Sequence, residues 1–94
     1  MNHALSTRVL GKGDAPVLRG MLDLFARAFE DPESYSAQQP SDEYLAKLLA
    51  SDTFVAIATF SNGQVVGGLT GYVLPKFEEQ RSEFYIYDLA WTRA

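Results

Sequence analysis

Apolar residues recur at three- and four-residue spacing through Val17, Leu18, Met21, Leu22, Phe25, Ala28 and Phe29. That spacing predicts a helix over residues 15–29 with one buried face, leaving Arg19, Asp23 and Arg27 on its wet side. Asp14 stands where an N-cap residue is favoured, and Pro16 is tolerated in the first turn. Upstream, residues 6–10 (STRVL) have the character of a short strand, and Gly11-Lys12-Gly13 separates them from the helix. Residues 30–40 (EDPESYSAQQP) carry two prolines and several small polar side chains, and read as a loop.

Ser41 is placed to cap a second, shorter helix that ends near Ser51, with Asp42 and Glu43 favourable at its positive end. Tyr44, Leu45, Leu48 and Leu49 form its buried stripe. Residues 53–60 (TFVAIATF) then have strand composition, and a second strand runs from Val65 to about Leu74. Between them, Asn62-Gly63 is the strongest local hairpin signal, because both residues accept the positive φ of a type I′ turn. Gly67, Gly68 and Gly71 weaken the second strand, marking a bulge or a close approach by another backbone or a ligand. After a polar connection (PKFEEQR), residues 83–90 (EFYIYDLA) give a third strand. The order β–α–α–β–β–β predicts an α+β domain, an antiparallel sheet packed against two helices.

Composition narrows the function classes. Ninety-four residues make one domain with a modest core, and no repeat or linker divides them. No apolar run reaches the length of a membrane span, and the first residues lack the pattern of a signal peptide. The absence of cysteine excludes disulfides, a thiolate nucleophile and cysteine zinc sites. A cytoplasmic protein without membrane partners is expected. The net charge of −4 argues against nucleic acid, whose binders neutralise phosphates with a basic patch. It is compatible with a cationic small molecule, although solubility alone accounts for it equally well.

Phosphate-loop, nucleophile-elbow and zinc-protease patterns are absent, and the acids do not follow calcium-loop spacing. His3, near the terminus, is assigned no catalytic or metal role, and Glu78 and Glu79 read as a solvated turn. Asp88 is the informative acid, because it interrupts Tyr85, Ile86, Tyr87 and Leu89 in a strand, where aspartate is disfavoured. Two readings stand: a strand end reaching water, or a carboxylate that binds an ammonium and accepts its proton. Alternation puts Glu83, Tyr85, Tyr87 and Leu89 on one face and Asp88 on the other, unless a bulge intervenes. The tyrosines by themselves read as packing residues.

Several stretches carry a resemblance: LDLFARAFED with Tyr35-Ser36, then DEYL leading to Leu48-Leu49, TFVAIATF, VVGGL, YVLPKFE and RSEFYIYDLA. In this order, from about Met21 to Ala90, they resemble the front half of the GCN5-related N-acetyltransferases, in particular the aminoglycoside 3-N-acetyltransferases. The resemblance implies acetyl transfer from acetyl-CoA to an amine of a polycationic aminoglycoside. It implies that Leu89 and Ala90 offer backbone groups to the acetyl and pantetheine of the cofactor. Asp88 would bind the acceptor amine and help take its proton, with Tyr87 and Glu83 positioning it. Glu30, Asp31, Glu33 and Tyr35, in the loop between the helices, would supply a negative wall for the polycation.

Members of that family follow the corresponding strand with a basic, glycine-containing loop that holds the cofactor's pyrophosphate at a helix start. Here Trp91-Thr92-Arg93-Ala94 follows, and Arg93 does not replace several convergent backbone donors. The expectation is an acceptor-side half, residues 1–94, lacking the pyrophosphate loop and inactive as the isolated chain. A second expectation is a homo-oligomer: the 83–91 strand would be an open apolar edge that recruits a strand from another copy and buries Trp91.

Overall fold

The computed structural model describes residues 4–92, so His3, Arg93 and Ala94 lie outside the described residues. Strand β1 (Leu5–Val9) leads through a 3-10 turn (Lys12–Asp14) into helix α1 (Ala15–Ala28). A four-residue helix, α2 (Pro32–Tyr35), interrupts the loop before helix α3 (Asp42–Ala50). Strands β2 (Phe54–Ser61), β3 (Gln64–Pro75) and β4 (Ser82–Trp91) complete an antiparallel sheet in the order β1-β2-β3-β4. Apart from the short α2, which the pattern does not predict, the order observed is the α+β order β–α–α–β–β–β expected. No helix among the described residues is long and apolar enough to cross a membrane.

Local chemistry sets most boundaries. Asn62 and Gly63 both take positive φ, 52° and 79°, as a type I′ hairpin requires. Ser41 accepts the Tyr44 N–H and caps α3 as expected. Asp14 occupies the N-cap position of α1 without making a side-chain cap. Its carboxylate instead takes both Arg8 guanidinium nitrogens, at 2.8 and 3.0 Å, and the Gly11 N–H at 2.8 Å. Hydrogen bonds from Arg8 and then Gly11 lower the pKa of this acid from its ordinary value. Helix α1 stops one residue before the predicted end, because Glu30 adopts φ 53°. The Glu30 N–H then bonds the Arg27 carbonyl and the Asp31 N–H bonds that of Ala26, which closes a Schellman motif.

The core lies between α1, α3 and one face of the sheet. Met21 and Leu24 are fully buried, Phe25 and Leu18 nearly so, and Met21, Phe25 and Leu18 form one cluster with Leu45, Leu49, Phe54, Ala56, Ala58 and Ala90. Leu24 falls outside the predicted apolar stripe, whereas Ala28 and Phe29, which belong to it, are exposed. The stripe drifts around a straight helix, so its two ends face different neighbours. Arg19, predicted on the wet side, spans the gap between the helices: it donates to Gln39 Oε1, the Pro40 carbonyl and Asp42.

The glycines of β3 mark close approaches. A Cβ on Gly68 would lie 2.8 Å from Met21 Cε, and one on Gly67 would lie 2.5 Å from the Trp91 ring. At Gly71 it would meet the Tyr85 carbonyl oxygen at 2.6 Å and the Phe84 ring at 2.4 Å. There the β3–β4 ladder shifts: Thr70 opposes Asp88, but Gly71 opposes Ile86. Tyr87 is therefore the extra residue of a β-bulge, the one feature able to bring Tyr87 and Asp88 to the same face.

Candidate functional site

Asp88, opposite buried Thr70 and two residues from buried Ala90, faces the helices, and the bulge brings Tyr87 to the same side, where α2 lies. Asp31 caps α2 by accepting the Ser34 N–H, and Pro32 suits its first turn. Tyr35, the last residue of α2, leaves it with its ring edge-on to Phe25 (5.9 Å between centroids) and against Phe29 (5.6 Å). The Tyr35 hydroxyl donates to Asp88 Oδ1 at 3.0 Å. From the far side, the Gln39 amide donates to the Tyr35 carbonyl at 3.2 Å and to Asp23 at 2.9 Å.

Tyr35 and Asp88 both line a cavity of about 250 Å³ between α1, α2, α3 and the sheet. Leu18, Leu22, Phe25, Leu45 and Leu48 supply its apolar walls. Tyr35, Tyr44, Phe54, Tyr72 and Tyr87 supply aromatic ones. The Tyr72 ring contacts Tyr87 edge-on at 5.9 Å and Phe54 at 5.4 Å. Ser34 and Thr70 add hydroxyls, and Asp88 is the one charged residue in the lining. Burial first, then the hydrogen bond to Asp88, push the Tyr35 hydroxyl up to about 12, so it remains a donor at any physiological pH. Burial also raises Tyr72, aided by Tyr44, Tyr87 and Asp88. A lone carboxylate among aromatic faces is an arrangement that takes up a cation through charge and ring quadrupoles together.

The other predicted residues are distributed differently. Glu30, Asp31 and Glu33 do not line the cavity: Glu30 closes α1, Asp31 caps α2 and Glu33 is exposed in its first turn. Glu83 is engaged at the loop end of β4, 3.0 Å from Arg81 and 3.6 Å from Lys76. Leu89 opposes Leu69 and is exposed, while Ala90 opposes Gly68 and is buried in the core. Because the Thr92 N–H bonds the Val66 carbonyl, ladder alternation turns the Ala90 backbone toward β3. The same alternation leaves the Leu89 and Trp91 N–H and C=O groups on the open edge of β4. Tyr72 and Thr70 were not singled out from the sequence, and only the register of β3 against β4 brings them beside Asp88.

No family model and no curated protein matches the chain. Solved structures do. An aminoglycoside acetyltransferase from an uncultured soil metagenomic sample is 41% identical with a TM-score of 0.93, covering 96% of this chain and 59% of that one. A second, also from an uncultured soil metagenomic sample and solved in complex with sisomicin, is 33% identical with a TM-score of 0.84, covering 94% and 56%. A predicted acetyltransferase from Clostridium acetobutylicum, solved with acetyl-CoA, shares the fold at 17% identity and a TM-score of 0.60, covering 94% and 60%. The chain thus spans less than two thirds of the length of each of these proteins. Over that span, the protein carries part of the GCN5-related N-acetyltransferase fold and is similar in sequence to aminoglycoside acetyltransferases.

Proposed function

We propose that the Asp88 cavity is the acceptor-amine site of an aminoglycoside acetyltransferase-like protein. The observation that carries this reading is the single carboxylate facing a cavity of aromatic walls, to which the bulge adds Tyr87. Asp88 holds the ammonium of the acceptor and takes its proton, directly or through water, because only the neutral amine attacks. Tyr87, beside Asp88 in the lining, packs against the amine-bearing ring. Acetyl-CoA, when bound, supplies an acetyl group activated as a thioester. The unpaired Leu89 N–H on the open edge is the donor suited to an acyl oxygen, and the Trp91 N–H lies two residues along the same edge. The relative solved with sisomicin supports an aminoglycoside as the amine. Its further ammonium groups would meet exposed Glu30 and Glu33 and a chain of net charge −4.

Calorimetric titration with sisomicin tests this reading. The expected result is binding that Asp88→Asn weakens roughly tenfold or more, the loss of one charge-assisted contact. Equal affinities in the two chains reject Asp88 as the amine site. For acetyl-CoA the expectation differs: residues 1–94 cover 59% of the length of the relative they match at 41% identity, and weak cofactor binding without acetyl transfer is expected of them by themselves. Micromolar binding of acetyl-CoA would overturn that.

A second reading, self-assembly, rests on β4 itself. This strand has β3 as its one neighbour among the described residues, and Phe84, Ile86, Leu89 and Trp91 are all about half exposed or more. An apolar edge of this kind pairs with a second copy. Sedimentation is expected to give a dimer or larger species, and a stable monomer at high micromolar concentration counts against it.

A further inference from the structure

We infer that Tyr35 is a positioning residue for Asp88, occupying one carboxylate oxygen so that the other alone receives the amine. This rests on the acceptor-site reading above. Among the described residues, Asp88 accepts one side-chain hydrogen bond, from the Tyr35 hydroxyl to Oδ1 at 3.0 Å. Oδ2 is thus, among the described residues, the oxygen without a hydrogen-bond partner, in a cavity with no other charged residue in its lining. A carboxylate with both oxygens free can rotate about its terminal bond, whereas one tethered oxygen fixes the plane and the aim of the other.

Tyr35 is suited to the task because it is itself held at three points. Phe25 and Phe29 grip its ring, and Gln39 donates to its carbonyl at 3.2 Å. Gln39 in turn accepts from Arg19 at 2.8 Å and donates to Asp23 at 2.9 Å, so both functions of its amide are satisfied on α1. The aim of Asp88 is thus referred through Tyr35 and Gln39 to the most deeply buried helix of the fold. The hydroxyl stays protonated across the working range, since burial and Asp88 together raise it to about 12.

The test uses Tyr35→Phe, which keeps the ring packing and removes the hydroxyl, with Tyr44→Phe as a second cavity tyrosine not bonded to Asp88. The side-chain carboxyl carbon signal of Asp88 is recorded by NMR in each chain, and each is then titrated with sisomicin. Tyr35→Phe is expected to move the Asp88 carboxyl signal, where Tyr44→Phe leaves it in place, and to weaken sisomicin roughly tenfold. On an Asp88→Asn background the same substitution is expected to change affinity less than twofold, because its effect passes through Asp88. An Asp88 signal no more displaced by Tyr35→Phe than by Tyr44→Phe overturns the inference, as does an undiminished tenfold loss on the Asp88→Asn background. Should the unaltered chain bind no sisomicin, the acceptor reading fails on its own, and the carboxyl signal still decides whether Tyr35 positions Asp88.

Discussion

The Tyr35 hydroxyl and Asp88 Oδ1 lie 3.0 Å apart although 53 residues separate them in the chain. One comes from a four-residue helix in a loop, the other from a bulged edge strand. Neither element is stable alone: α2 is far below the length of an independent helix, and β4 has a single neighbour among the described residues. Their meeting point is the site.

Gly71 permits that meeting. Any Cβ there would press on the Tyr85 carbonyl oxygen and the Phe84 ring, so Gly71→Ala must push β4 away at the bulge. We expect a loss of about 1–3 kcal/mol in denaturant unfolding, the usual range for overpacking. Gly68→Ala presses hardest on the flexible end of Met21, at 2.8 Å, with Phe25 in ordinary contact at 3.5 Å, and is expected to cost less. Equal losses for the two would remove the special role of Gly71.

Glu30 ends α1 in the left-handed region, at a position where glycine is the favoured residue. Glu30→Gly is therefore expected to stabilise the chain by about 1 kcal/mol, relieving the Cβ strain of that conformation. Thermal or urea unfolding measures it. A destabilised Glu30→Gly chain would mean that this carboxylate does more than turn the chain.

Arg19 joins α1 to Gln39, Pro40 and Asp42, and so closes the loop that carries α2. Arg19→Ala should leave α1 and the sheet folded while residues 36–41 become far easier to cut by limited proteolysis. Unchanged cleavage would show that the packing of Tyr35 on Phe25 and Phe29 holds the loop without Arg19.

Alkaline titration follows Tyr35. Its hydroxyl ionises near 10 when unfolded and is raised to about 12 in the fold, first by burial and then by Asp88. The sign follows: the contribution is fully present below pH 10 and is lost as pH rises from 10 through about 12, where the unfolded state sheds the proton first. Tyr35→Phe should remove the latest step of the tyrosinate absorbance titration. If that step survives, the raised hydroxyl belongs to another tyrosine.

Where residue type alone decides conformation, the fold was readable from the sequence. Asn62-Gly63 requires a type I′ turn and Ser41 requires a helix start, and both stand where expected. Asp88 was identifiable as an oddity, but its direction was not, because alternation sends it away from Tyr87 until the register against Thr70 and Gly71 inserts a bulge. That register is a tertiary fact. Likewise α2 is too short to leave a periodic signal, and Asp31 caps it locally while neither Asp31 nor Glu33 lines the cavity. Glu83 reads as a site neighbour by position, yet Lys76 and Arg81 across the β3–β4 connection claim it.

The central claim is that an amine enters the cavity at Asp88, and backbone amide mapping by two-dimensional NMR during a sisomicin titration tests it most directly. The account predicts saturable shifts centred on Tyr35, Tyr44, Thr70, Tyr87 and Asp88, with the outer residues Phe84, Ile86 and Trp91 unmoved. Shifts confined to scattered acidic surface residues, with Asp88 and Tyr87 unaffected, would contradict it.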